Sequence, residues 1–340
     1  MKTVFPDNII IKCKKIFLLF SFLVLFCAGF GNTNLKNSYR LNPNQSYKLT
    51  DSIFRGTSFV FVGDTQIPMW IETIFLRKDN NEEATKKIFG SICEDNNVQS
   101  VFHLGDVVAM SSDDDDWEMM DLQLSKLQQK NIPIFLTPGN HEYMLNSEKG
   151  KDNFVKRFPD LAKKTWQLKI INKVAVLLLN SNFSQLSESE VKEQQSWYEN
   201  QLIDLQKDST VKMIIVACHH SPYTNSKIVG PSDDVKSNFV RQFIKSDKCK
   251  LFLSGHCHAI EHFKQGGKDF IVSGGGGGIL QTLHIGADTL YKDYFPQKSN
   301  QSFFHYLYLQ EKDEGLDITV KMLKQDYSSF YDAYEITIPW

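Results

Sequence analysis

An apolar run ends in a polar turn at Ile132-Pro133-Ile134-Phe135-Leu136-Thr137-Pro138-Gly139-Asn140-His141-Glu142. A short continuous run of this kind is typical of a buried strand, and a glycine allows a sharp turn directly after it. The turn carries an amide, an imidazole and a carboxylate, which are groups that bind metal ions. A single turn of this composition is often an ordinary loop, so its meaning depends on whether the pattern recurs.

The pattern recurs along the 340 residues, because further apolar runs also end in polar blocks. These blocks are Gly63-Asp64-Thr65-Gln66, Gly105-Asp106, His219-His220 and Gly255-His256-Cys257-His258. Ligands of open α/β sheets gather at the carboxyl ends of strands, where loops converge. The five blocks therefore predict one shared site, and their mixture of groups suits a pair of divalent or trivalent metal ions.

Helical stretches separate the apolar runs, which indicates an α/β fold with a mostly parallel sheet covered on both faces. The glycines at 274–278 are predicted to be tight backbone beside the site, since no Lys-Ser or Lys-Thr follows them as in a nucleotide loop. Alternating or apolar stretches at 305–310, 316–323 and 335–339 predict antiparallel strands. Residues 56–340 are thus expected to form a single domain with β-strands at its C-terminal end.

The amino-terminal region has the layout of a signal peptide. Lysines 2, 12, 14 and 15 precede an uncharged apolar run at 16–30, and small residues surround Gly31. We expect residues 1–31 to be a signal peptide and the protein to be exported, periplasmic or extracellular; a retained membrane anchor is the alternative. Residues 32–55 are rich in Asn, Ser and Lys and are predicted to be an extended lead-in.

The rest of the composition is that of an ordinary soluble protein, with 41% hydrophobic residues and a formal charge of -2. This balance gives no signal for nucleic-acid binding, and contact with a membrane is expected only through an uncleaved N-terminal segment. Cys218 and Cys257 adjoin the polar blocks and are expected to be small buried side chains, with thiolate ligation as the alternative. The acidic run 113–116 is expected to be a solvated loop or a helix cap. We expect His103 and Trp117 to be core residues. His262 is expected to be structural unless it contacts a metal ligand.

The ordered blocks resemble the calcineurin-like metallophosphoesterase superfamily and are most similar to its purple acid phosphatase-like branch. The resemblance spans residues 57–278 and rests on Gly-Asn-His-Glu at 139–142, Val-x-x-His at 216–219 and Gly-His-x-His at 255–258. It implies a four-layer α-β-β-α sandwich with two metal ions, Fe, Zn or Mn. It also implies that metal one binds Asp64, Asp106 and His258, and that metal two binds Asp106, Asn140, His219 and His256.

The same resemblance implies that His141 is a general acid or charge stabiliser, and that metal-bound hydroxide attacks a phosphate ester in line. His219 fits the spacing of the family's ligand, so His220 faces the substrate, is structural, or is a possible further metal ligand or a residue that contacts a ligand. Two positions depart from the family. Gln66 stands where many members have a histidine, so it either ligates metal one or bonds a metal-bound water.

Ala109 is the second departure, because it stands where purple enzymes have an iron-binding tyrosine and phosphoprotein phosphatases have an aspartate that partners the histidine. A purple centre is therefore not expected, and we expect His141 to be less firmly oriented unless Glu142 or a residue of 113–116 replaces that partner. The sequence predicts an exported phosphatase acting on a small or exposed phosphate ester. A phosphodiesterase or pyrophosphatase on nucleotide or lipid-linked substrates, and a degenerate member that binds a metal or ligand without turnover, are the alternatives.

Overall fold

The computed structural model describes residues 46–47, 56–76, 79–296 and 300–340. The chain divides into two compact units, Met1–Arg40 and Leu41–Trp340, and the described residues belong to the second. The predicted signal peptide and, except for residues 46–47, the predicted lead-in lie outside the described residues. Within the described part of the chain, no helix is long and apolar enough to cross a membrane.

The described residues form strands and helices that alternate through most of the chain. The strands are β1 (Ser58–Val62), β2 (Val98–His103), β3 (Ile134–Leu136), β4 (Gln167–Ile171), β5 (Val174–Leu179), β6 (Met213–Cys218), β7 (Cys249–Ser254), β8 (Ile260–Gln265), β9 (Lys268–Ser273), β10 (His305–Glu311), β11 (Gly315–Leu323) and β12 (Phe330–Pro339). The helices are α1 (Glu72–Phe75), α2 (Asn81–Glu94), α3 (Asp114–Gln129), α4 (Ser147–Arg157), α5 (Glu188–Lys207), α6 (Asp233–Val235) and α7 (Arg241–Lys245), and a π-helical turn, Lys236–Val240, joins the last two.

The strands pair into two six-stranded sheets, ordered β12-β11-β10-β1-β2-β3 and β4-β5-β6-β7-β9-β8. Pairing is parallel along β1-β2-β3 and along β5-β6-β7-β9. It is antiparallel in every other pair of these two sheets. The expectation of mostly parallel pairing therefore holds only for these two groups of strands, while the predicted antiparallel strands of the C-terminal end extend the first sheet.

Alternating side chains place each sheet between two apolar layers. In β1, Phe59 and Phe61 lie in the core between the sheets, and that core includes Val176 of the second sheet. Val60 and Val62 point the other way, into a core shared with α2 and α3. The outer face of the second sheet packs against α5 and α7. This order of layers, helix, sheet, sheet and helix, confirms the predicted α-β-β-α sandwich.

Several elements were not predicted: the short helices α1, α6 and α7, and the elements α4, β4 and β8, which lack a clear sequence signal. In α4, the helix sequence SEKGKDNFVKR holds only two large apolar residues, so no amphipathic period is visible. In β8, Glu261 and His262 are buried polar residues that interrupt the apolar pattern. β4 is a partly exposed edge strand of alternating character.

The two sheets meet where the polar blocks follow their strands. After β7, the backbone N–H of Gly255 donates to the carbonyl of His219, which follows β6, at 2.9 Å. Across the two sheets, His219 Nδ1 donates to the carbonyl of Leu104, after β2, at 2.9 Å. One edge of the sandwich thus collects side chains from both sheets, as strand ends of an α/β fold commonly do.

The core between the sheets supports this edge, and Phe102 lies at its centre. Its ring is fully buried and stacks on Phe61 at 4.8 Å between centroids. We expect Phe102→Ala to lower the free energy of unfolding by about 3–5 kcal/mol through lost burial and the cavity left behind. Ile203→Ala, at a half-exposed position on α5, is the control, with an expected change within about 0.5 kcal/mol. Equal midpoints in urea denaturation for the two variants would contradict this description of the core.

Candidate metal centre

Three of the predicted ligands have unusual backbone geometry. Asp64, Asp106 and His256 have positive φ angles of 59°, 54° and 67°. This left-handed conformation is uncommon for residues other than glycine, although Asp and His are enriched in it. Such conformations persist only where surrounding contacts enforce them, and they cluster at functional sites. The chain therefore turns sharply at these positions, directly after the strands.

The predicted ligands of metal two converge on one atom, His219 Nε2. Because the Nδ1–H of His219 donates to Leu104, the neutral ring carries a lone pair on Nε2. That nitrogen lies 3.0 Å from Asn140 Oδ1, 3.2 Å from His256 Nδ1 and 3.3 Å from Asp106 Oδ2. Acceptors this close need a cation or a shared proton between them. Two imidazoles, an amide oxygen and a carboxylate are a donor set that fits a divalent metal ion.

The charges at this point reinforce the need for a cation. Burial disfavours the imidazolium of His219, but the carboxylate of Asp106 outweighs burial and raises the pKa of His219 to about 9. Burial also lowers the pKa of His256 well below its usual value, and the neighbouring His219 and His220 lower it further. His256 is thus neutral and keeps its lone pair, as a metal-ligating histidine must.

The predicted ligands of metal one form a second group. Carboxylate oxygens of Asp64 and Asp106 and a ring nitrogen of His258 lie within 4.8 Å of one another, and all three residues are buried. His258 Nδ1 donates to the carbonyl of Ile279 at 2.8 Å, which leaves Nε2 with the lone pair 3.4 Å from Asp64 Oδ1. The Gln66 amide nitrogen lies 3.2 Å from the same Nε2. The group fits a second cation.

Glu142 has a role that the sequence did not reveal. Its buried carboxylate accepts three backbone N–H groups, those of Gly139 at 2.6 Å, Asp106 at 3.0 Å and Val107 at 2.9 Å. These bonds tie the loop after β2 to the loop after β3 and hold Asp106 in its left-handed turn. Burial raises the pKa of Glu142 to about 7, with Asp106 adding to the effect.

The orientation of His141 comes from a backbone carbonyl. His141 Nδ1 donates to the carbonyl of Ala109 at 2.6 Å, while Nε2 lies 3.8 Å from Asp106 Oδ2. Neither Glu142 nor the acidic run takes the place of a partner aspartate, because Glu142 binds backbone amides and Asp116 accepts the N–H of Met110. The imidazole is therefore held by a neutral acceptor, the backbone carbonyl of Ala109, although we expected His141 to be less firmly oriented.

His220 lies at the edge of the ligand cluster. Its Nδ1 is 2.8 Å from Ser181 Oγ, and that hydroxyl oxygen accepts the His220 backbone N–H at 3.0 Å. Because a hydroxyl has two lone pairs and one proton, Ser181 can donate to Nδ1 or accept from it, and the ring proton lies on Nε2 in the first case and on Nδ1 in the second. His220 can also join His219 and His256 in a three-histidine group. Beside it lies a groove of about 370 Å³, lined by Asn140, Tyr143, Met144, Ser181, Asn182, Phe183, Ser184, Gln185, His220, Ser232 and Asp234.

The remaining sequence expectations concern residues around the centre. His103 is buried and bonds Thr65 and the Gly105 N–H, as a core residue. Trp117 is fully buried, and His262 pairs with Asp269 and Tyr334 rather than with any metal ligand. Asp113 caps α3, as expected for the acidic run. The described cysteines, Cys93, Cys218, Cys249 and Cys257, are buried free thiols, and none belongs to a metal-binding group in the described residues.

The glycine run 274–278 is packed against the ligands, as predicted. A Cβ on Gly274 would lie 2.8 Å from Asp64 Oδ2, and one on Gly278 would lie 2.6 Å from His258 Cε1. The Gly278 N–H also donates to the Asp64 carbonyl at 2.7 Å. Glycine is required here for close approach, because any side chain would push the ligands apart.

We expect Gly278→Ala to displace His258 and to weaken metal binding by roughly 10- to 100-fold, the range seen when the support of a ligand is lost. Calorimetric titration with Zn²⁺ or Mn²⁺ measures this change. Gly90→Ala is the matched control, since no atom lies within 4 Å of the added Cβ on α2. Unchanged metal affinity in a folded Gly278→Ala protein would show that the run does not position His258.

Comparison with known proteins agrees with this geometry. A sequence model of the calcineurin-like phosphoesterase family matches residues 57–259, more than half of the chain. No curated protein sequence matches it. Among solved structures, a purple acid phosphatase from yellow lupin (Lupinus luteus) has a TM-score of 0.56 at 16% identity, covering 83% of this chain and 53% of its own. The chain thus spans about half the length of that plant protein.

Two other structures share the fold. A dimetal phosphatase from Danio rerio has a TM-score of 0.55 at 12% identity, with 83% of this chain and 98% of its own covered. GAP50, the anchor in the inner membrane complex of Plasmodium, has a TM-score of 0.57 at 13% identity, with 83% and 88% covered. On the family match, supported by this fold and by residues that can bind metal ions, the chain belongs to the calcineurin-like phosphoesterase family and is a hydrolase acting on phosphate esters.

Proposed function

We propose that this protein is an exported, binuclear metal-dependent phosphatase that hydrolyses monoesters of small organic molecules. The observation that carries the proposal is the convergence of two ligand groups on one buried carboxylate. Asp106 Oδ2 lies 3.3 Å from His219 Nε2, and Asp106 also belongs to the group with Asp64 and His258. A shared carboxylate is the usual means of holding two metal ions together.

In this proposal Asp64, Asp106 and His258 hold metal one, and Asp106, Asn140, His219 and His256 hold metal two. When bound, two metal ions supply Lewis acidity to the phosphoryl group and lower the pKa of a coordinated water. The protein's own residues fix the ligands in advance. His219 and His258 are oriented by carbonyls of Leu104 and Ile279, so their Nε2 atoms face the site before any ion arrives.

His141 is the proposed general acid for the leaving group. The carbonyl of Ala109 holds Nδ1, so Nε2 is the nitrogen that faces the site beside Asp106. A proton on Nε2 can then be given to the departing ester oxygen or can stabilise its charge. In the tautomer whose Nδ1 accepts from Ser181, His220 Nε2–H is a second donor for substrate.

Charge and shape favour a monoester of a small alcohol. Two divalent ions and the two carboxylates of Asp64 and Asp106 together carry a net charge of +2. This charge balances that of a phosphate monoester dianion better than that of a singly charged diester. The described residues that line the groove beside His220 offer aromatic, amide and hydroxyl groups; none of them is Lys or Arg, and Asp234 is the only charged residue among them. Such a groove suits a neutral or cationic alcohol group and disfavours a polyanionic one.

The experiment that tests this function combines metal quantitation with a panel of substrates. Purified protein should bind two ions per chain from Fe, Zn or Mn, and should hydrolyse an aryl phosphate monoester faster than the bis-aryl diester. Faster diester hydrolysis would favour a phosphodiesterase. Less than about one ion per chain and no turnover with any of the three metals would overturn the catalytic proposal.

Asp106→Asn tests the shared ligand directly. We expect kcat/KM to fall more than about 100-fold and the number of bound ions per chain to drop. The loss of a residue that binds the metal directly weakens metal binding more than the loss of a contact that supports such a residue. Asp332→Asn, a surface carboxylate paired with Lys321, is the control and should keep both activity and metal. Full turnover in Asp106→Asn would rule out the two-metal assignment.

His141→Ala tests the general acid. We expect kcat to fall about 10²- to 10⁴-fold on alkyl phosphates, less on an aryl phosphate whose leaving group needs no proton, with both ions retained. His284→Ala, outside every group of possible ligands in the described residues, is the control. Loss of both ions in His141→Ala would mean that His141 is a ligand instead.

A further inference from the structure

The groove beside His220 adjoins the proposed metal centre. Asn140, a proposed ligand of metal two, lies in its wall together with His220. An ester whose phosphoryl group lies on the metal ions therefore has this groove beside it for its alcohol part. Asn182 and Asp234 line the same groove, and neither takes part in the proposed chemistry.

Asn182 presents a hydrogen-bond acceptor to the groove. The residue is 5% exposed, and its Nδ2 donates to the carbonyl of Pro138 at 2.9 Å and to Asn180 Oδ1 at 3.0 Å. Because a carbonyl oxygen can only accept, the amide nitrogen must face Pro138, and both of its N–H groups are then used. The polar side-chain atom that remains for a ligand is Oδ1, which can only accept.

Buried amides hold this acceptor in place. Asn180 Oδ1 also accepts the backbone N–H of Asn182 at 2.8 Å. The side chain of Gln194, on α5, exchanges two hydrogen bonds with the backbone of Asn180, at 2.8 and 2.9 Å. The loop after β5 is thus tied to the helix that follows it, so the position of Asn182 is fixed before a ligand enters the groove.

Asp234 adds a negative charge to the groove. It is exposed and lies on α6. Among the residues that the structure describes, no ion pair involves Asp234, whereas the adjacent Asp233 pairs with Lys236 at 2.9 Å. An acceptor oxygen and an unpaired carboxylate together complement a ligand that carries both N–H donors and a positive charge.

We propose that the protein prefers phosphate monoesters of primary amino alcohols, and that Asn182 Oδ1 and the Asp234 carboxylate bind the ammonium group of the alcohol. An ammonium group has three N–H donors and no acceptor, so it suits two acceptors in one groove. The phosphoryl dianion and the ammonium group then lie against opposite charges, those of the metal centre and of Asp234. This inference rests on the proposed function and names the class of its substrate.

A matched pair of substrates tests the preference. The quantity measured is kcat/KM for aminopropyl phosphate divided by kcat/KM for propyl phosphate, which have similar size and differ in charge. A ratio measured on one preparation cancels differences in metal loading and in the amount of active protein. We expect a ratio of about ten for the natural protein, from one hydrogen bond to a charged group and one exposed ion pair.

Asp234→Asn should lower this ratio about two- to fivefold, the range for an exposed ion pair. About 1 M NaCl should lower the ratio of the natural protein in the same direction, because salt screens exposed charges. Asp234→Lys should make carboxypropyl phosphate a better substrate than aminopropyl phosphate. Asn182→Ala should lower the ratio through the lost acceptor, independently of charge.

Asp233→Asn is the matched control. Asp233 is the neighbouring carboxylate on the same helix, its side chain is 91% exposed, and it is not among the residues that line the groove. This variant should keep the ratio of the natural protein. A general loss of negative charge from α6 would instead lower the ratio equally in the two variants and would contradict the role of Asp234.

The failure of this inference differs from that of the proposed function. If the natural protein hydrolyses both esters with equal kcat/KM, or if Asp234→Asn and Asn182→Ala keep the natural ratio, the inference is wrong while the proposed function stands. If the metal-loaded protein hydrolyses neither ester nor an aryl phosphate, the proposed function fails and this inference fails with it.

Discussion

The buried carboxylate of Asp106 is the constraint on which the site depends. Burial opposes its charge, yet His219 and His141 outweigh burial and hold its pKa well below the usual value. One oxygen accepts the His141 backbone N–H at 2.8 Å, and the other faces His219. Because a buried charge must be paired, strands from both sheets have to bring partners to this point. The two sheets therefore meet at the same place where the ligands gather, because the buried charge of Asp106 needs partners from both sheets.

Precision at this edge comes from backbone contacts. Glu142 joins the loop after β2 to the loop after β3 by accepting three backbone N–H groups. The two carboxylate oxygens of Asp64 lie 3.0 and 3.1 Å from the His256 backbone nitrogen and accept its N–H. The glycine run 274–278 then lets backbone approach both Asp64 and His258. The strands hold the ends of the loops, and these contacts hold the loops themselves. The ligands are therefore preorganised, so metal binding has to order few further groups.

Local patterns were enough to predict most strands and the meeting of the five polar blocks, while the resemblance to the family implied the four-layer fold and the ligands Asp64, Asp106, Asn140, His219, His256 and His258. These features depend on apolar runs and on groups at strand ends, which a sequence displays. What depends on tertiary contact was not visible. The interruption of β8 by buried Glu261, the backbone role of Glu142 and the Ala109 carbonyl beside His141 each need a partner distant in sequence.

The two departures from the family pattern have one physical feature in common. At Ala109 a backbone carbonyl oxygen holds His141, and at Gln66 a side-chain amide lies beside His258 Nε2, with its nitrogen 3.2 Å away. Both groups are neutral, so the centre carries less negative charge and fewer imidazole ligands than the family pattern implies. A trivalent ion is stabilised by anionic ligands, and without a tyrosinate this set offers two carboxylates for two ions. If the protein is the binuclear enzyme proposed above, these departures favour divalent over trivalent ions at its centre.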